Sequence, residues 1–355
     1  MIQLIKITKY QIIIFAVALA LGSALSNYTA QKFSKTATQL MGIVTGSRPS
    51  LQKKVDFNKI PQVFYPRLGE KVYFPLFIAT RALVMANKME NNEDNKEEYK
   101  KYFLKYIEWL KDNLVFDSYQ GMKYAVWEHS YPYPYGIYDL KIPWRCGMAQ
   151  GEGLSVFSKA FEITGDPTYL EYAKYMLNSF FVEVKHNGVT YKDSDKEWWY
   201  EEYPGSKNGS EPRVLNGAIY TVIDIFDFYK KTGNEDAKIL FQKGSAAIKK
   251  RLSRYDTGEW TYYDEMGHIA TLHYHQDHIR LTKKMYDMTK DPYFLEYSKK
   301  WAGYKTLYFP REFIHQRPDY QDIVILGLNV AICMAVLNLF TGMILLIKKL
   351  KKSRL

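Results

Sequence analysis

Asp166-Pro167-Thr168-Tyr169-Leu170-Glu171-Tyr172-Ala173 and Asp291-Pro292-Tyr293-Phe294-Leu295-Glu296-Tyr297-Ser298 are two versions of one turn. Each follows a threonine, in Thr164-Gly165 and Thr289-Lys290, and Thr232-Gly233-Asn234 repeats the theme between them. An apolar segment precedes each turn: Gly153 to Ile163, Val214 to Tyr229 and His278 to Met288. A segment with apolar residues at spacings of three and four follows each: Tyr169 to Phe181, Asp236 to Leu252 and Tyr293 to Tyr304. Those spacings predict helices. Phe74 to Ala86 and Tyr99 to Leu114, joined by the charged loop Glu90 to Glu97, add an earlier pair. The chain therefore reads as helical hairpins with a period of about 60 residues.

Stacked hairpins of this size form open solenoids or closed toroids. The first helix of each pair is apolar around most of its circumference: Val214, Leu215, Ala218, Ile219, Val222, Ile223 and Phe226 cover a wide face. A helix of that kind is buried on most sides, whereas an amphipathic return helix has one face in water. The expected fold is mainly α: an incomplete α/α barrel, a toroid of helical hairpins, with short β-hairpin inserts and terminal membrane helices.

Both ends support the last element. Lys6 and Lys9 precede an apolar run from Tyr10 to Leu25, short for a span, with the small residues Gly22-Ser23-Ala24 near its end where a signal peptidase could cut. It reads equally as a signal peptide or a signal anchor. Ile323 to Ile347 carries no charge and would be about 37 Å long as a helix, enough to cross a bilayer with some tilt. Lys348, Lys349, Lys351, Lys352 and Arg354 follow it, so the positive-inside rule places this tail in the cytoplasm and the middle of the chain on the non-cytoplasmic side, at a cell surface or in a Golgi lumen. The expected organisation is residues 1–27 as signal peptide or anchor, 28–60 as linker, 61–320 as the α/α-barrel domain, 321–348 as a transmembrane helix and 349–355 as a basic cytoplasmic tail.

The net charge of +11 is mostly a property of these ends. They hold seven of the 49 basic residues and none of the 38 acidic ones, which leaves 42 against 38, or +4, in the middle. The excess suits anionic lipid rather than nucleic acid, and no nucleic-acid motif accompanies it. Of two cysteines, Cys333 lies in the apolar run and Cys146 in the middle, so no disulfide is expected.

The inserts between hairpins carry the chemistry. Val182 to Tyr191 alternates and contains Asn187-Gly188, a hairpin signal. It leads into Trp198-Trp199-Tyr200-Glu201-Glu202-Tyr203-Pro204, where aromatic faces suit sugar rings and carboxylates and phenols can move protons. Tyr255 to Asp264 reads as strand and turn, and His273-Tyr274-His275 is expected just ahead of the next inner helix. His275 and His278 with Asp264 or Asp277 raise a metal reading, but the spacing is not that of a helical zinc pair, and histidines that hydrogen-bond are favoured. There is no Gly-x-Ser-x-Gly elbow and no phosphate loop. A carboxylate among phenols suits proton transfer at C5 of a uronate, and three outcomes fit such a site: epimerisation, lyase cleavage or hydrolysis. A non-catalytic glycan-binding protein is the remaining alternative.

Met148-Ala149-Gln150-Gly151, Trp199-Tyr200-Glu201-Glu202-Tyr203-Pro204, Val214-Leu215-Asn216-Gly217, Tyr255-Asp256-Thr257-Gly258, Tyr263-Asp264, and Tyr274-His275 with His278-Ile279 occur in order. This set resembles the C-terminal catalytic domain of the D-glucuronyl C5-epimerases, which convert glucuronate to iduronate in heparan-type chains. The resemblance covers roughly residues 140 to 304 and implies an α/α barrel with a cleft at one end. It implies Glu202 and Tyr274 as the acid/base pair on opposite faces of C5, with Tyr203 and Tyr263 donating to the substrate carboxylate. Trp144, Arg145, Gln150, Arg213, Asn216, His275 and His278 are the expected substrate-binding set, with a structural role as the alternative for Trp144, Gln150, Asn216, His275 and His278; Asn216 could equally cap its helix. The family's arginine after the Tyr263 motif is replaced near Met266, so either Arg145 or Arg213 meets the carboxylate instead or the acceptor sugar differs. No cofactor and no metal are expected. The expected partners are a uronate-containing glycan and membrane lipid, with a homodimer left open and nucleic acid excluded.

Overall fold

The computed structural model describes residues 9–26, 29, 56–65, 68–91, 93–133, 137–207, 209, 211–304 and 320–352. The expected linker therefore lies almost wholly outside the described residues, as do the last three residues of the tail. The chain divides into two compact units. One gathers the described parts of Met1–Lys54, Thr271–His273 and Lys305–Leu355; the other comprises Val55–Ala270 and Tyr274–Tyr304.

The first unit begins with helix α1, Lys9–Ser26, which is long and apolar enough to cross a membrane. The second unit opens with a small antiparallel pair, β1 (Val63–Tyr65) and β2 (Glu70–Val72). Hairpins α2 (Pro75–Asn91) and α3 (Lys96–Asp112), α4 (Gly147–Thr164) and α5 (Thr168–Asn178), α6 (Leu215–Thr232) and α7 (Glu235–Arg251), and α8 (Leu272–Thr289) and α9 (Pro292–Ala302) follow. Helix α4 packs between α2 and α6, and α3, α5 and α7 each cover their own partner. Tyr220 of α6 donates to Asp277 of α8 at 3.2 Å, and Ser298 of α9 donates to the Ile279 carbonyl of α8 at 2.8 Å. So α2, α4, α6 and α8 form the inner layer of an incomplete α/α barrel, as the apolar first helices predict.

Three turns are built alike. Thr164, Thr232 and Thr289 each donate to the carbonyl four residues back at 2.7 Å, and each hydroxyl accepts the N–H two residues on at 3.2–3.3 Å. Asp166, Asn234 and Asp291 then accept N–H groups of the next helix at 2.9–3.1 Å. Between them stands a left-handed residue: Gly165 (φ 73°), Gly233 (φ 69°) and, in the third, Lys290 (φ 59°). The N–H of each bonds to the carbonyl four residues back at 2.8 Å, the αL ending of a helix. Thr-x-Asx is therefore both the stop of the inner helix and the start of the outer one.

The return helices bury one stripe, such as Tyr102, Phe103, Tyr106, Ile107 and Leu110 on α3. Helices α4 and α6 bury residues over most of their length, including Leu154, Val156, Phe157 and Ala160, and Ile219, Val222, Ile225 and Phe228.

Four further short strands pair as β3 (Val115–Tyr119) with β4 (Met122–Val126) and β5 (Glu128–His129) with β6 (Trp144–Arg145), all antiparallel. The hairpin expected around Asn187-Gly188 is corrected. Val184–His186 is a single 3-10 turn ended by Asn187 in the left-handed region (φ 63°). The strand pair lies downstream, β7 (Thr190–Lys192) with β8 (Trp198–Tyr200), in the register Tyr191 to Trp199. The β-forming aromatics of β8 outweigh the local turn signal.

The start of α8 is also corrected. It begins at Leu272, so His273, Tyr274 and His275 lie on the inner helix and not ahead of it. Its buried positions are Leu272, His275, His278, Leu281, Thr282 and Met285. The helical period is real, but the two buried positions after Leu272 are imidazoles, which hid it from an apolar pattern.

The first unit closes with α10, Tyr320–Lys352, whose segment Ile323–Lys348 is the second helix long and apolar enough to cross a membrane.

Candidate active site

Strand β8 ends at Tyr200, and the next two peptide units are pinned. The Glu201 N–H donates to Val189 O at 2.7 Å, and Glu201 O accepts from Gly147 N at the start of α4 at 2.9 Å. A methyl group on Gly147 would overlap Glu201 O, so only glycine allows this approach. The Glu201 carboxylate is fully buried, not solvated. It accepts the Arg213 N–H at 2.7 Å and the Tyr203 N–H at 3.3 Å, tying this loop to the entry of α6. Burial pushes its pKa up to about 7 against those backbone donors.

Glu202 points the other way, onto the first turn of α6. Gly217 faces it so closely that an added methyl would overlap Oε2. The carboxylate is hydrogen-bonded to the Tyr203 phenol, while Oε2 is buried without a protein partner among the described residues. Burial pushes its pKa up to about 7; the Tyr203 phenol opposes that shift and the Glu201 charge adds to it. A carboxylate held near neutrality with one free oxygen has the properties of a general base.

Tyr203 and Tyr263 lie beside it, and Tyr274 joins through Tyr263. Tyr203 and Tyr263 are buried, and burial first, then the Glu202 charge, raises both phenols well above their usual range. The rings of Tyr263 and Tyr274 meet at 4.6 Å. The Tyr263 carbonyl accepts Leu215 N–H of α6 at 3.2 Å, which fixes the Tyr263 loop to the helix that carries Gly217. Glu202 and Tyr203 come from the loop after β8, Tyr263 from the loop before α8, and Tyr274 from α8 itself.

Two further tyrosines join them that sequence reading passed over. Tyr133 packs on Tyr203 at 4.8 Å between ring centroids, and Tyr138 packs on it at 5.4 Å. Tyr138 donates to Asp264 Oδ2, and His268 Nδ1 lies 2.6 Å from the same oxygen. Asp264 Oδ1 accepts the N–H groups of Met266 and His268 at 3.0 and 3.1 Å. The Asp264 hydrogen bond and charge raise the pKa of His268. The only signal in the sequence was the Tyr-Pro-Tyr-Pro-Tyr run from Tyr131 to Tyr135.

The expected substrate-binding residues divide. Trp144 is buried in the aromatic cluster, 6.2 Å from Tyr203, with its indole N–H on Tyr131 O at 2.9 Å. It also lines a pocket of about 190 Å³ together with Lys141, Arg145, Lys185, Pro204 and Gly205. Asn216 lies in the first turn of α6, but the cap position is Val214, so Asn216 does not cap the helix. Its Oδ1, like Glu202 Oε2, is buried without a partner among the described residues.

The remaining residues are held within the protein. Gln150 is fully buried and holds backbone: its Oε1 accepts Trp127 N–H at 3.1 Å, and its Nε2 donates to Cys146 O at 3.1 Å and Trp127 O at 3.3 Å. Arg145 is engaged by Glu128 at 2.7 Å, the Tyr124 hydroxyl at 3.2 Å and Asn187 O. Arg213, at φ 50°, pairs with Asp193 at 2.8 Å and with Glu211. Neither guanidinium is available for a substrate carboxylate. His275 Nδ1 and His278 Nδ1 both meet the Thr261 hydroxyl, at 2.9 and 3.0 Å, and His275 stacks on Trp260 at 3.7 Å. Burial lowers their pKa values to about 4 and about 3, which keeps both neutral.

Comparisons with known proteins give this cluster its context. The family described as D-glucuronyl C5-epimerase C-terminus matches residues 120–303, which contain all six residues of the cluster. An uncharacterized protein of Methanocaldococcus jannaschii, MJ1128, is 38% identical over 186 residues, 51% of this chain and 58% of its own. The D-glucuronyl C5-epimerase of Caenorhabditis elegans is 31% identical over 180 residues, 45% of this chain and 29% of its own. The chain thus spans less than two thirds of either relative. Among solved structures, a sugar epimerase from a ruminal bacterium superposes with a TM-score of 0.50 at 12% identity, over 80% of this chain and 74% of that one, a likeness of fold. On the match over more than half its length, the chain belongs to the D-glucuronyl C5-epimerase C-terminus family.

Proposed function

We propose that this protein epimerises a hexuronate at C5, D-glucuronate to L-iduronate, within a glycan chain. The observation that carries the reading is the free Oε2 of Glu202, on a carboxyl pushed up to about 7 and enclosed by phenols. The C5 proton lies α to the sugar carboxylate. Glu202 takes that proton, and negative charge builds on the carboxylate. Tyr203 and Tyr263 stay protonated because burial and the neighbouring charge raise them, so they can donate to it. Tyr274 returns a proton to C5 from the opposite face and is reprotonated from solvent. With Arg145 and Arg213 engaged elsewhere, neutral phenols and the Asn216 amide supply the donors where the family resemblance implies a guanidinium. No cofactor enters these steps.

The protein would be held in a membrane by its apolar helices, with the helical-hairpin unit on the non-cytoplasmic side and the basic tail in the cytoplasm. The partners are then a uronate-containing glycan and membrane lipid. The test is incubation with heparosan and other uronate glycans in deuterated water. Deuterium at C5 without new chain ends supports epimerisation; an unsaturated, ultraviolet-absorbing product marks a lyase, and new reducing ends alone mark a hydrolase. Glu202→Gln and Tyr274→Phe should each lower exchange by about 10²–10⁴-fold, the usual weight of a positioned acid or base. Exchange that survives in both variants overturns the assignment.

A further inference from the structure

The first unit holds an arrangement that a cleaved leader would not need. Helix α1 buries Ile14, Ala18, Gly22 and Ser26, at every fourth position, together with Ser23, while Tyr10, Ile12, Ile13, Phe15, Val17, Leu19 and Leu21 are exposed. Gly22 lies against α10: a methyl there would sit 2.8 Å from Val330 Cγ2 and 2.9 Å from its backbone nitrogen. Small residues at this spacing let two backbones approach closely, which is how helices associate where lipid removes the hydrophobic drive.

Polar side chains close the contact at both ends. Asn329 is fully buried, and its Nδ2 donates to Ser26 Oγ at 3.0 Å and Thr29 Oγ1 at 2.8 Å. Towards the other end, Gln11 Nε2 donates to Asn338 Oδ1 at 2.9 Å. The order Gln11 with Asn338, Gly22 with Val330, and Ser26 with Asn329 makes the pair antiparallel. An amide N–H in hydrocarbon without a partner is costly, and the Asn329 Nδ2 and Gln11 Nε2 groups each donate to a side chain of the other helix. Antiparallel pairing also puts the Lys9 end of α1 beside the lysine-rich end of α10, as two helices inserted under one positive-inside rule require.

We infer that α1 is a permanent transmembrane helix, retained in the mature protein and paired antiparallel with α10 through the Gly22–Val330 contact and the Gln11–Asn338 and Ser26/Thr29–Asn329 hydrogen bonds. This rests on the membrane reading above and decides between the signal peptide and the anchor. Loss of the residues before about Ser26 would remove Gln11, the partner of Asn338, and with Gly22 gone would uncover the Val330 face.

The experiment uses the full chain in its native membrane with a tag at each end. Intact mass, or both tags on one band, reads retention. Gln11→Cys with Asn338→Cys, in a Cys333→Ser background, is then treated with a short bis-maleimide, and the chain is cut at a protease site engineered into the 30–54 segment. Retention of both tags with the two fragments joined supports the pair, provided the control Leu19→Cys with Asn338→Cys leaves them separate. A mature N-terminus near Ser23–Ser26 overturns it, as does an intact chain whose facing pair does not join. Alkaline carbonate extraction is read separately: a joined pair in an extractable protein leaves the pairing standing and overturns only the membrane reading.

Discussion

Replacing Glu202 by glutamine should lower activity by about 10²–10⁴-fold and stabilise the protein, and the size of the second effect can be worked from the site. Burial lifts the Glu202 pKa from 4.5 to about 7. A carboxyl whose folded pKa is raised binds its proton more tightly in the folded state, so its contribution is fully present below the unfolded value and is lost as pH rises through the folded one. The shift of about 2.5 units corresponds to about 3 kcal/mol, at 1.36 kcal/mol per unit. Glutamine keeps the shape of the neutral acid and does not titrate. The variant should therefore be more stable than the parent by about 3 kcal/mol at about pH 8, shrinking to about 1 kcal/mol or less at about pH 5. For a domain of this size that is on the order of 6–12 °C in melting temperature at the higher pH. The buried histidines titrate in both proteins and cancel in the difference, whereas Glu201 adds to the Glu202 shift, so part of the difference is the coupling of these two carboxyls. The assay is thermal melting of both proteins in detergent across that pH range, with C5 deuterium exchange alongside. A variant no more stable than the parent at the higher pH, or a difference independent of pH, refutes the argument that Glu202 is held near neutrality by burial.

Gly217→Ala should separate packing from chemistry. Alanine favours the helix by about 1 kcal/mol, but its methyl must displace Glu202, and overpacking costs about 1–3 kcal/mol, so the melting temperature should fall modestly while exchange falls about 10²-fold. Exchange within a few-fold of the parent would show that Glu202 needs no fixed position. Thr261→Val removes the hydroxyl shared by His275 and His278 and should destabilise by about 2–4 kcal/mol through two buried nitrogens left unpaired. Its KM, read in the same exchange assay, should stay unchanged; a raised KM would return the two histidines to the substrate site.

The hairpins were legible because their signals are local. Thr-x-Asx stops one helix and starts the next with bonds that span at most four residues, and the apolar first helices follow from periodicity alone. The loop bearing Glu202 and Tyr203 was legible through its unusual composition. What could not be read depends on partners far along the chain. Arg145 looks free until Glu128, Tyr124 and Asn187 converge on it, and Arg213 until Asp193 folds back across β7. Tyr138 is an ordinary loop tyrosine until Asp264, 126 positions later, accepts its hydroxyl and holds it beside Tyr203. The early start of α8 was hidden because, after Leu272, its buried face continues with two imidazoles where the pattern sought aliphatic side chains.

The Thr261 hydroxyl has a consequence of its own. It carries a single hydrogen but touches two Nδ1 atoms, so it can donate to only one and must accept from the other. His275 is hydrogen-bonded to the backbone of Trp301, an interaction that favours its protonated form and so marks Nε2–H as the donor there. Neutral His275 then has a bare Nδ1, which takes the threonine hydrogen, and His278 must be the Nδ1–H tautomer that gives to the threonine oxygen. The three side chains form a one-way wire, running from His278 through Thr261 and His275 to a peptide carbonyl. Its direction is set at the backbone end, and two imidazoles three residues apart on one helix are locked into opposite tautomers, distinguishable by the nitrogen chemical shifts of their rings.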